Sequence, residues 1–530
     1  MRSLLPRRSG PALALAVALG LSALARTGGG QPEPPKPSAA PTEGPKSASP
    51  TAPAPPAPSP VAGEPIAAPG ATRKTIDPAG VVEAVRKLSA DVQRWGGSAG
   101  VLVVDVPTGA VLAASNEHAA FNPASNAKLV TAVAALRALG PQHRFLTGLY
   151  GKQAGDTVEE LVLRGQGDPS LRMGDLAEMA RELASAGVRK VRSIGVDQSY
   201  FDDRYAPPAY EQQPHEWAPF RAPVAAVSLN GNTVLFTVRP SEQGKSALLS
   251  VEPPGLVDLA GAVRTTAKSD PEKIALSLEP RGDRLAATFG GTLPEKSRPV
   301  RIARRVDDPR LLAGYALRAA LKDVGIEATG GVHTAKSREK KLLASHRSEP
   351  LGELLTALGK ESDNFYAEMI FKALSAPKKG EPATSEAGAE AAARILREVS
   401  AFEPGVVVKN GSGLFDANRA TPWSMAALLR AAYSDPTISP EFVSHLAIGG
   451  VDGTLRGRFR KWSSYRAIRA KTGTLDAVAA LSGYVLAPSS GSPVAFAILV
   501  NGVSGKIGES RRAMDAIVEA IALESWKSRR

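Results

Sequence analysis

The hydrophobic and polar positions near the start of the folded region predict a β-hairpin. Residues 101–106 form an aliphatic, mostly β-branched run broken by one aspartate, which is typical of a buried strand. Pro107, Thr108 and Gly109 then supply turn chemistry, and a second apolar run follows at 110–113. We therefore expect two antiparallel strands joined by this short turn.

The element after the hairpin has a helical period. Its apolar positions recur at helical spacing, at Leu129, Val130, Val133 and Leu136. This spacing predicts a helix over residues 124–139. Pro123 near its start and the Gly140-Pro141 pair at its end are the usual boundary residues of a helix.

The end of the chain predicts two more strands and a helix. Residues 478–486 and 494–500 are apolar runs that we interpret as adjacent strands, and the pattern at 509–528 is that of an amphipathic helix. One antiparallel sheet can thus be built from both ends of the sequence. The middle of the chain would then be an excursion from that sheet.

The excursion has its own patterns of three strands and one helix. They lie at 233–238, 247–251, 274–278 and 309–324. We therefore predict one or two smaller, mainly β-containing domains within residues 141–347. The two parts of the larger domain are expected at 73–140 and 348–530.

The first 25 residues resemble a secretory signal peptide. Three arginines within the first eight residues precede a short apolar stretch at 11–24, and Ala23-Leu24-Ala25 is a small-x-small cleavage pattern. The apolar stretch is short for a membrane span, although an uncleaved anchor stays open as an alternative. We expect residues 1–25 to be removed when the protein is exported to the periplasm or cell envelope.

Residues 26–72 have the composition of an extended tether. Between Gln31 and Gly70 lie 14 of the 43 prolines of the chain, with almost no aliphatic bulk. Such a segment buries too little apolar surface to offset its chain entropy, and its proline content favours a polyproline conformation. A tether of this kind fits a protein that reaches from a membrane or across a cell envelope.

Composition excludes several classes of protein. The 530 residues of the chain suggest about three domains. The chain has no cysteine, which excludes disulfide scaffolds, zinc ribbons, iron–sulfur clusters and thiol catalysis. Its six histidines are scattered and lack metal-ligand spacing, so we predict no metal site.

The charge of the chain is positive but dispersed. The formal net charge is +13, or +10 without the three arginines of the first 25 residues. Basic residues are interspersed with acidic ones, and no nucleic-acid-binding motif accompanies them. We therefore expect no nucleic-acid partner, and we favour a weak, peripheral attraction to an anionic polymer of the envelope.

A serine and a lysine at the start of the predicted helix form the first chemical motif. Ser125 and Lys128 are three positions apart, so they share one face of a helix. A serine in the first turn also places its own N–H and the helix dipole near a developing anion. A serine hydroxyl needs a neighbouring base to become a good nucleophile, and a lysine serves when its pKa is lowered. Taken alone, Ser-x-x-Lys is common in a chain of this length.

The second motif is Ser362-Asp363-Asn364. An apolar helical stretch containing Phe365 and Met369 follows it, so the three polar residues stand where a helix begins. A helix cap would by itself explain them.

The third motif is Lys471-Thr472-Gly473-Thr474. It leads directly into the strand predicted at 478–486, where Gly473 would let a ligand approach the backbone closely. The start of an edge strand would also explain this motif.

The three motifs occur together in penicillin-binding proteins and class A β-lactamases. Ser125 and Ser362 are 237 positions apart, which is more than a compact β-lactamase accommodates. The chain resembles the low-molecular-mass class C penicillin-binding proteins, the D-alanyl-D-alanine carboxypeptidase/endopeptidase family, which insert domains at this point. Other segments similar to that family are Leu-Arg-Gly-Gln-Gly-Asp-Pro-Ser-Leu at 163–171, Val-Ser-Leu-Asn-Gly-Asn at 227–232, Gly-Ser-Gly-Leu at 411–414 and Gly-Gly-Val-Asp-Gly-Thr-Leu at 449–455.

The resemblance implies an α/β fold class. The expected architecture is a transpeptidase/β-lactamase-like domain, with an antiparallel sheet flanked by helices and a helical subdomain. One or two inserted, mainly β-containing domains would interrupt it.

The resemblance also implies acyl transfer on the D-alanyl-D-alanine terminus of peptidoglycan stem peptides. Ser125 would attack the peptide carbonyl, and Lys128 would take its proton. Ser362 would relay that proton to the leaving D-alanine, and Asn364 would hold the substrate amide. The N–H groups of Ser125 and Thr474 would form the oxyanion hole.

The third motif would bind the end of the substrate. Lys471 would add positive potential, and Thr472 and Thr474 would bind the terminal carboxylate of a peptide or of penicillin. Water would release the acyl group, which gives a carboxypeptidase, or an endopeptidase where the leaving group belongs to a cross-link. The resemblance implies no metal or organic cofactor, and it implies that β-lactams are covalent inhibitors.

Departures from the family concern substrate choice. Relatives that act on diaminopimelate-type stems often carry an arginine two positions after the Gly-Ser-Gly-Leu segment, where this chain has Asp416. Asp476 lies two positions after Thr474, so carboxylates at both places would repel a ligand carboxylate and favour an amine, unless Arg419 compensates. Asp197, in an Asp-x-Ser-x-Phe segment, resembles the family's contact for the amino end of the stem, although the end of a strand would explain it equally.

Two alternative functions stay open on this sequence. A serine β-lactamase would use the same motifs but release penicillin quickly, whereas a peptidase should stay acylated for minutes or longer. A Glu-x-x-x-Asn motif of the class A deacylating type is missing between Ser362 and Lys471. A catalytically silent murein-binding module would keep its affinity after Ser125→Ala.

Overall fold

The computed structural model describes residues 76–338, 341–375, 381–488 and 491–527. The predicted signal peptide at 1–25, the predicted tether at 26–72 and the last residue of the helix predicted at 509–528 lie outside these ranges. Within them, no helix is both long and apolar enough to cross a bilayer.

The described residues contain twenty β-strands and ten α-helices. The strands are β1 (Ser98–Asp105), β2 (Val111–Ser115), β3 (Leu146–Tyr150), β4 (Gln153–Ala154), β5 (Thr157–Gly165), β6 (Lys190–Asp197), β7 (Thr233–Arg239), β8 (Leu248–Glu252), β9 (Val257–Gly261), β10 (Arg264–Thr266), β11 (Lys273–Arg281), β12 (Arg284–Pro294), β13 (Val300–Arg305), β14 (Glu327–Ala328), β15 (Val332–Thr334), β16 (Leu342–Arg347), β17 (Ala447–Ile448), β18 (Ile468–Leu475), β19 (Val478–Val485) and β20 (Val494–Asn501). The helices are α1 (Ala79–Arg94), α2 (Ala127–Leu139), α3 (Met173–Ser185), α4 (Leu312–Asp323), α5 (Leu351–Gly359), α6 (Asn364–Ala373), α7 (Ser385–Glu398), α8 (Pro422–Ser434), α9 (Ser439–His445) and α10 (Ile507–Ser525).

The central sheet combines strands from early and late parts of the chain. Its order is β17-β18-β19-β20-β1-β2, and its neighbouring strands are antiparallel. β1 pairs with β20 in unbroken register, from Ser98 opposite Asn501 to Asp105 opposite Val494. The structure thus confirms the predicted hairpin, the two predicted late strands and their assembly into one sheet.

This sheet is buried on both faces because helices cover both. Along β20, Phe496, Ile498 and Val500 pack into one core, and the alternating residues Ala497 and Leu499 pack into another. The first core is closed by α1 and α10, and the second contains α2 and the helices from α5 to α9. Two-sided burial explains why the late strands are continuous apolar runs in the sequence.

The helix predicted at 124–139 is confirmed, in two parts. A 3₁₀ turn, Ala124–Asn126, continues into α2, which ends where Gly140 takes a left-handed φ of 85°. The first ten residues of α2 are all buried. A helix that is apolar all round belongs inside a domain, and α2 accordingly runs through the second core.

The middle of the chain forms three further sheets. The largest has the order β14-β6-β5-β3-β16, with β15 beside β6 and β4 beside β5. The other two are β10-β12-β11 with β9, and β13-β7-β8. The strands and the helix predicted for this region correspond to β7, β8, β11 and α4, and are confirmed.

A small apolar cluster joins the middle of the chain to α6. Phe145 and Phe201 pack there with Phe365 and Met369 of α6. The 3₁₀ turn Pro219–Arg221 also contacts α6. Residues of the excursion therefore reach the start of α6, where the second chemical motif lies.

One prediction about the third motif was wrong. The Lys-Thr-Gly-Thr segment does not lead into the strand predicted at 478–486; it lies inside a strand of its own, β18, which pairs with β19 along its whole length. Asp476 and Ala477 join the two strands. On its other side, β18 pairs with β17 only at Arg469 and Ala470, so among the described strands none pairs with the motif residues on that side. Its polar residues interrupt the apolar pattern by which strands are found in a sequence.

Candidate active site

The serine of the first motif lies on a strained turn. Ser125 is the middle residue of the 3₁₀ turn Ala124–Asn126. Ala124 has a left-handed φ of 45°, which costs a residue other than glycine roughly 1–3 kcal/mol. Asn122 holds the turn, since its Oδ1 accepts the N–H of Ala124 at 2.8 Å, and it exchanges hydrogen bonds of 2.8 and 3.1 Å with Asn501.

The helix brings the lysine of the same motif beside this serine. Lys128 Nζ lies 3.1 Å from Ser125 Oγ, and the lysine side chain is fully buried. Nζ also lies 2.7 Å from Asn364 Oδ1 and 2.7 Å from the carbonyl oxygen of Ser412. Three oxygen atoms from three separate segments thus surround one amine.

These oxygens differ in what they offer to the amine. The Ser412 carbonyl only accepts, and so does Asn364 Oδ1, whose orientation is fixed because Nδ2 donates to the Phe220 carbonyl at 3.1 Å. The hydroxyl of Ser125 can donate as well as accept. A neutral amine has two hydrogens and one lone pair, so it satisfies both acceptors and can still receive the serine proton.

Burial favours this neutral form. Removal from water lowers the pKa of Lys128 to about 7, while the negative charges of Glu368 and Asp363 act in the opposite direction. A substantial fraction of the amine is therefore unprotonated near neutral pH. The pair can pass a proton from Ser125 to Lys128 without a further base.

Glu368, a residue that sequence reasoning missed, positions the carbonyl on this amine. Its buried carboxylate accepts the N–H of Gly411 at 3.1 Å and of Ser412 at 2.8 Å. Burial raises the pKa of Glu368 above its ordinary value, although these hydrogen bonds and the charge of Lys128 act in the opposite direction. The available signal was a lone carboxylate within the apolar run of α6, one helical turn after Asn364.

The second motif begins α6 beside the first. Asp363 accepts the N–H of Tyr366 at 3.0 Å, which confirms the predicted helix cap. Ser362 has a φ of 59°, so a second non-glycine residue of the site is strained. Its Oγ lies 2.8 Å from Lys471 Nζ, which links the second motif to the third.

The third motif lies against the serine turn. Lys471 is fully buried, and its carbonyl accepts Asn126 Nδ2 at 3.1 Å. At Gly473 a Cβ would come within 2.8 Å of the Pro123 carbonyl oxygen, so glycine is needed for β18 to approach the turn. Burial lowers the pKa of Lys471 well below its ordinary value, and the charge of Lys128 lowers it further.

The two threonines of the motif share one face of β18, because they are two positions apart. Thr472 Oγ1 lies 2.9 Å from Thr454 Oγ1, in the family-like segment 449–455. Thr474 Oγ1 accepts Arg511 Nη2 at 2.9 Å. Sequence reasoning missed Arg511, which lies on α10 and belongs to none of the motifs.

Asp416 lies beside the serine turn and already has partners. It accepts Asn122 Nδ2 at 3.0 Å, and Arg419 contacts its two oxygens at 2.6 and 3.1 Å. The hydrogen bond and charge of Arg419 lower the pKa of Asp416. The ion pair that would compensate this carboxylate is therefore formed. Asp476 accepts Ser504 Oγ at 3.2 Å.

Asp197 lies apart from these contacts. It is buried at the end of β6, where it accepts the N–H of Ser199 at 3.0 Å and of Ser337 at 2.8 Å, and Arg164 Nε lies 3.8 Å away. The hydrogen bonds and ion pairs of the described residues do not connect it to Ser125. Its place in substrate binding stays a prediction.

The arrangement as a whole supports proton transfer. Ser125 with Lys128, and Ser362 with Lys471, are two hydroxyl–amine pairs, and Asn364 lies beside the first. Such a site can deprotonate one hydroxyl for attack on a carbonyl and deliver a proton through the other. Among the residues from 76 to 527 that the structure describes, no three histidine or acidic side chains are grouped to hold a metal ion.

Two known proteins of similar sequence are named as D-alanyl-D-alanine carboxypeptidases. The D-alanyl-D-alanine carboxypeptidase of Actinomadura sp. is 33% identical over 436 residues, which cover 77% of this chain and 79% of that protein. The D-alanyl-D-alanine carboxypeptidase DacB of Haemophilus influenzae is 27% identical over 433 residues, covering 80% of this chain and 89% of that protein.

Solved structures and a family model agree with these relatives. The crystal structure of penicillin binding protein 4 (dacB) from Haemophilus influenzae matches with a TM-score of 0.68 and 26% identity, over 81% of this chain and 97% of that one. A second structure of that protein, complexed with a novel beta-lactam, matches with a TM-score of 0.65 and 25% identity, over 82% of this chain and 99% of that one. These matches confirm the predicted α/β fold class. The model of the D-Ala-D-Ala carboxypeptidase 3 (S13) family matches residues 81–522. The chain therefore belongs to the D-Ala-D-Ala carboxypeptidase 3 (S13) family, as the three motifs predicted.

Proposed function

We propose that this protein is a serine DD-peptidase, which hydrolyses the D-alanyl-D-alanine terminus of peptidoglycan stem peptides through an acyl-enzyme. The observation that carries the proposal is the 3.1 Å contact between Ser125 Oγ and the buried Lys128 Nζ. Membership of a D-Ala-D-Ala carboxypeptidase family supports the choice of substrate.

Acylation begins when Ser125 Oγ attacks the carbonyl carbon of the penultimate D-alanine. The hydroxyl proton passes to the lone pair of Lys128, whose own two hydrogens stay on Asn364 Oδ1 and the Ser412 carbonyl. The N–H groups of Ser125 and Thr474 hold the negative charge that develops on the substrate oxygen. A base stronger than the amine of Lys128 is not needed, because burial keeps much of this amine neutral.

Departure of the terminal D-alanine requires a proton on its nitrogen. Ser362 donates its hydroxyl proton there and is reprotonated by the proton that Lys128 received. Lys471, 2.8 Å from Ser362 Oγ, stabilises the negative charge that this hydroxyl acquires in between. Asn364 holds the substrate amide. Water then attacks the ester and restores Ser125.

The end of the substrate is held by the third motif. Thr472 and Thr474 bind the terminal carboxylate, and Lys471 adds positive potential. When the leaving group is a D-alanine the product is that of a carboxypeptidase, and when it belongs to a cross-link the product is that of an endopeptidase. β-Lactams present a reactive carbonyl and a carboxylate at similar places, so they acylate Ser125 covalently.

Two aspartates are proposed to act on substrate choice rather than on catalysis. Asp416, near the serine turn, contacts the side chain of the third stem residue, although its pairing with Arg419 weakens its attraction for an amine. Asp197 contacts the amino end of the stem. Stem peptides with an amine, a carboxylate or an amide on the third residue would rank these preferences.

Export to the cell envelope completes the proposal. The signal-like residues 1–25 and the proline-rich residues 26–72 motivate it. An exported enzyme on a tether would meet its polymer substrate in the periplasm or envelope. Edman sequencing of the protein recovered from the envelope fraction would reveal the cleavage site.

Mass spectrometry of muropeptides before and after incubation with the purified protein tests the function. We expect loss of D-alanine from pentapeptides, abolished by Ser125→Ala and unchanged by the control Ser444→Ala, at an exposed serine of α9. Benzylpenicillin should label the unsubstituted protein for minutes or longer, and rapid release would indicate a β-lactamase instead. Murein binding without any D-alanine release would indicate a silent binding module.

A further inference from the structure

We infer that Arg511 is a specificity-determining residue that binds the terminal carboxylate of the substrate together with Thr474. The inference rests on the proposed function, because it takes the substrate carboxylate to lie at Thr472 and Thr474. It goes further because it gives the site a fixed positive charge, the guanidinium of Arg511. This residue lies on α10 and belongs to none of the three motifs.

The contact between Arg511 and Thr474 leaves the hydroxyl hydrogen of Thr474 available to a ligand. Arg511 lies in the second turn of α10, and its Nη2 donates to Thr474 Oγ1 at 2.9 Å. The threonine oxygen accepts this bond with a lone pair, so its own hydrogen remains available for a ligand. The remaining N–H groups of the guanidinium stand beside that hydroxyl. A planar guanidinium and an adjacent hydroxyl together match the two oxygens of a carboxylate.

The charge of Arg511 is not neutralised by a close partner. Asp515, one turn further along α10, is bonded to Arg458, whose Nε lies 3.0 and 3.2 Å from its two oxygens. Within the described part of the chain, no carboxylate oxygen lies within 4.0 Å of a nitrogen of Arg511. Partial burial and the charge of Arg458 lower the pKa of Arg511 below its ordinary value, although the charge of Asp515 acts in the opposite direction. A guanidinium nevertheless stays protonated at any physiological pH.

The lysines of the site offer a less dependable charge. Burial lowers the pKa of both Lys128 and Lys471, so their positive charge depends on pH. Lys471 is also already bonded to Ser362 Oγ and to the Thr472 carbonyl, both at 2.8 Å. A ligand that always carries a carboxylate is better matched by an arginine. Arg511 meets that need.

The test compares Arg511→Gln with Arg512→Gln in the full-length protein. Arg512 is the next residue, is also exposed, and its replacement changes the net charge equally. The substrates are diacetyl-L-lysyl-D-alanyl-D-alanine and the same peptide ending in D-alaninamide, with release of the terminal residue followed by mass spectrometry. Initial rates over a range of concentrations separate KM from kcat.

For the free acid, we expect Arg511→Gln to raise KM about tenfold or more with little change in kcat, as the loss of a bond to a charged group predicts. Arg511→Lys should recover part of the loss, and Arg512→Gln should stay within about twofold of the unsubstituted protein. For the amide, Arg511→Gln should differ from the unsubstituted protein by less than about twofold, because no carboxylate is present.

Three outcomes overturn the inference: an unchanged KM in Arg511→Gln, an equal loss in Arg512→Gln, or an equal loss with the acid and the amide. Failure of the unsubstituted protein to release D-alanine overturns the proposed function instead, so the two failures are distinguishable. Far-ultraviolet circular dichroism and thermal unfolding of each variant separate lost binding from lost folding. If Arg511→Gln does not fold, Arg511→Lys gives the same comparison with the charge kept and the planar fork removed.

Discussion

The wall and the rim of the candidate active site differ in their exposure to water. The wall comprises the buried side chains Lys128, Glu368 and Lys471, and the rim comprises the more exposed Asp416, Arg419 and Arg511. The wall side chains are at most 1% exposed, whereas those of Asp416 and Arg419 are 61% and 38% exposed.

This difference in exposure determines what each charge does. On the wall, desolvation changes the pKa of a group, and every lost hydrogen bond leaves a buried atom without a partner. On the rim, water screens each charge and can replace a lost partner. The wall is therefore expected to control chemistry, and the rim to control which substrate is accepted.

The largest effect is expected from Lys128→Met, which removes the amine from the wall but keeps the length of the side chain. Loss of a general base should slow acylation by benzylpenicillin about a thousandfold. Stopped-flow measurement with a fluorescent penicillin gives this rate. Lys152→Met, at an exposed lysine, should leave it unchanged. A loss of less than tenfold in Lys128→Met would show that another group takes the serine proton.

A pH profile should show the next largest effect. The base must be neutral to accept a proton, and burial lowers the pKa of Lys128 to about 7. Acylation should therefore accelerate as pH rises through about 7, and below that value it should fall about tenfold per pH unit. Rates measured with benzylpenicillin between pH 5 and 9 would show this. A flat profile would contradict a neutral lysine base.

Glu368→Gln should have an intermediate effect. The amide keeps the shape of the side chain but removes the charge and offers one acceptor oxygen to two N–H groups, so acylation should slow about tenfold. The charge of Glu368 raises the pKa of Lys128, so its removal should move the acid limb of the pH profile to lower pH. Glu390→Gln, at an exposed residue of α7, is the matched control. A slower rate with an unshifted profile would make Glu368 merely structural.

The smallest effect is expected on the rim, from Asp416→Asn. The pair with Arg419 is an exposed contact between residues three positions apart, and such pairs contribute less than about 1 kcal/mol. The free energy of unfolding measured with urea should fall by no more than this, and penicillin acylation should stay within about twofold. A loss above about 2 kcal/mol would mean that the rim is as tightly coupled as the wall.

Two of the three wall residues, Lys128 and Lys471, could be predicted from their motifs, whereas Glu368 was missed because it belongs to none. Ser125 and Lys128 meet through one turn of a helix, and Asp363 caps the next helix directly. The strands around them were found because two-sided burial makes them apolar. β18 was not found as a separate strand, because Lys471 and two threonines interrupt its apolar pattern.

The remaining parts of the site depend on tertiary contacts that no spacing encodes. The Ser412 and Phe220 carbonyls come from loops distant in sequence, and backbone atoms carry no residue signature. Arg511 meets Thr474 only because α10 packs near β18. The strained turns at Ala124 and Ser362 were equally hidden, since left-handed backbone is expected of glycine. Asp197 stays a prediction, because its described bonds are explained by the end of a strand.

The most direct test is to locate the penicillin adduct by peptide mass spectrometry. The protein is incubated with benzylpenicillin, digested, and the modified peptide sequenced, in parallel with Ser125→Ala. The account predicts a single adduct of intact penicillin on Ser125 in the unsubstituted protein and none in the variant. An adduct on any other residue, or labelling that persists in Ser125→Ala, would contradict it.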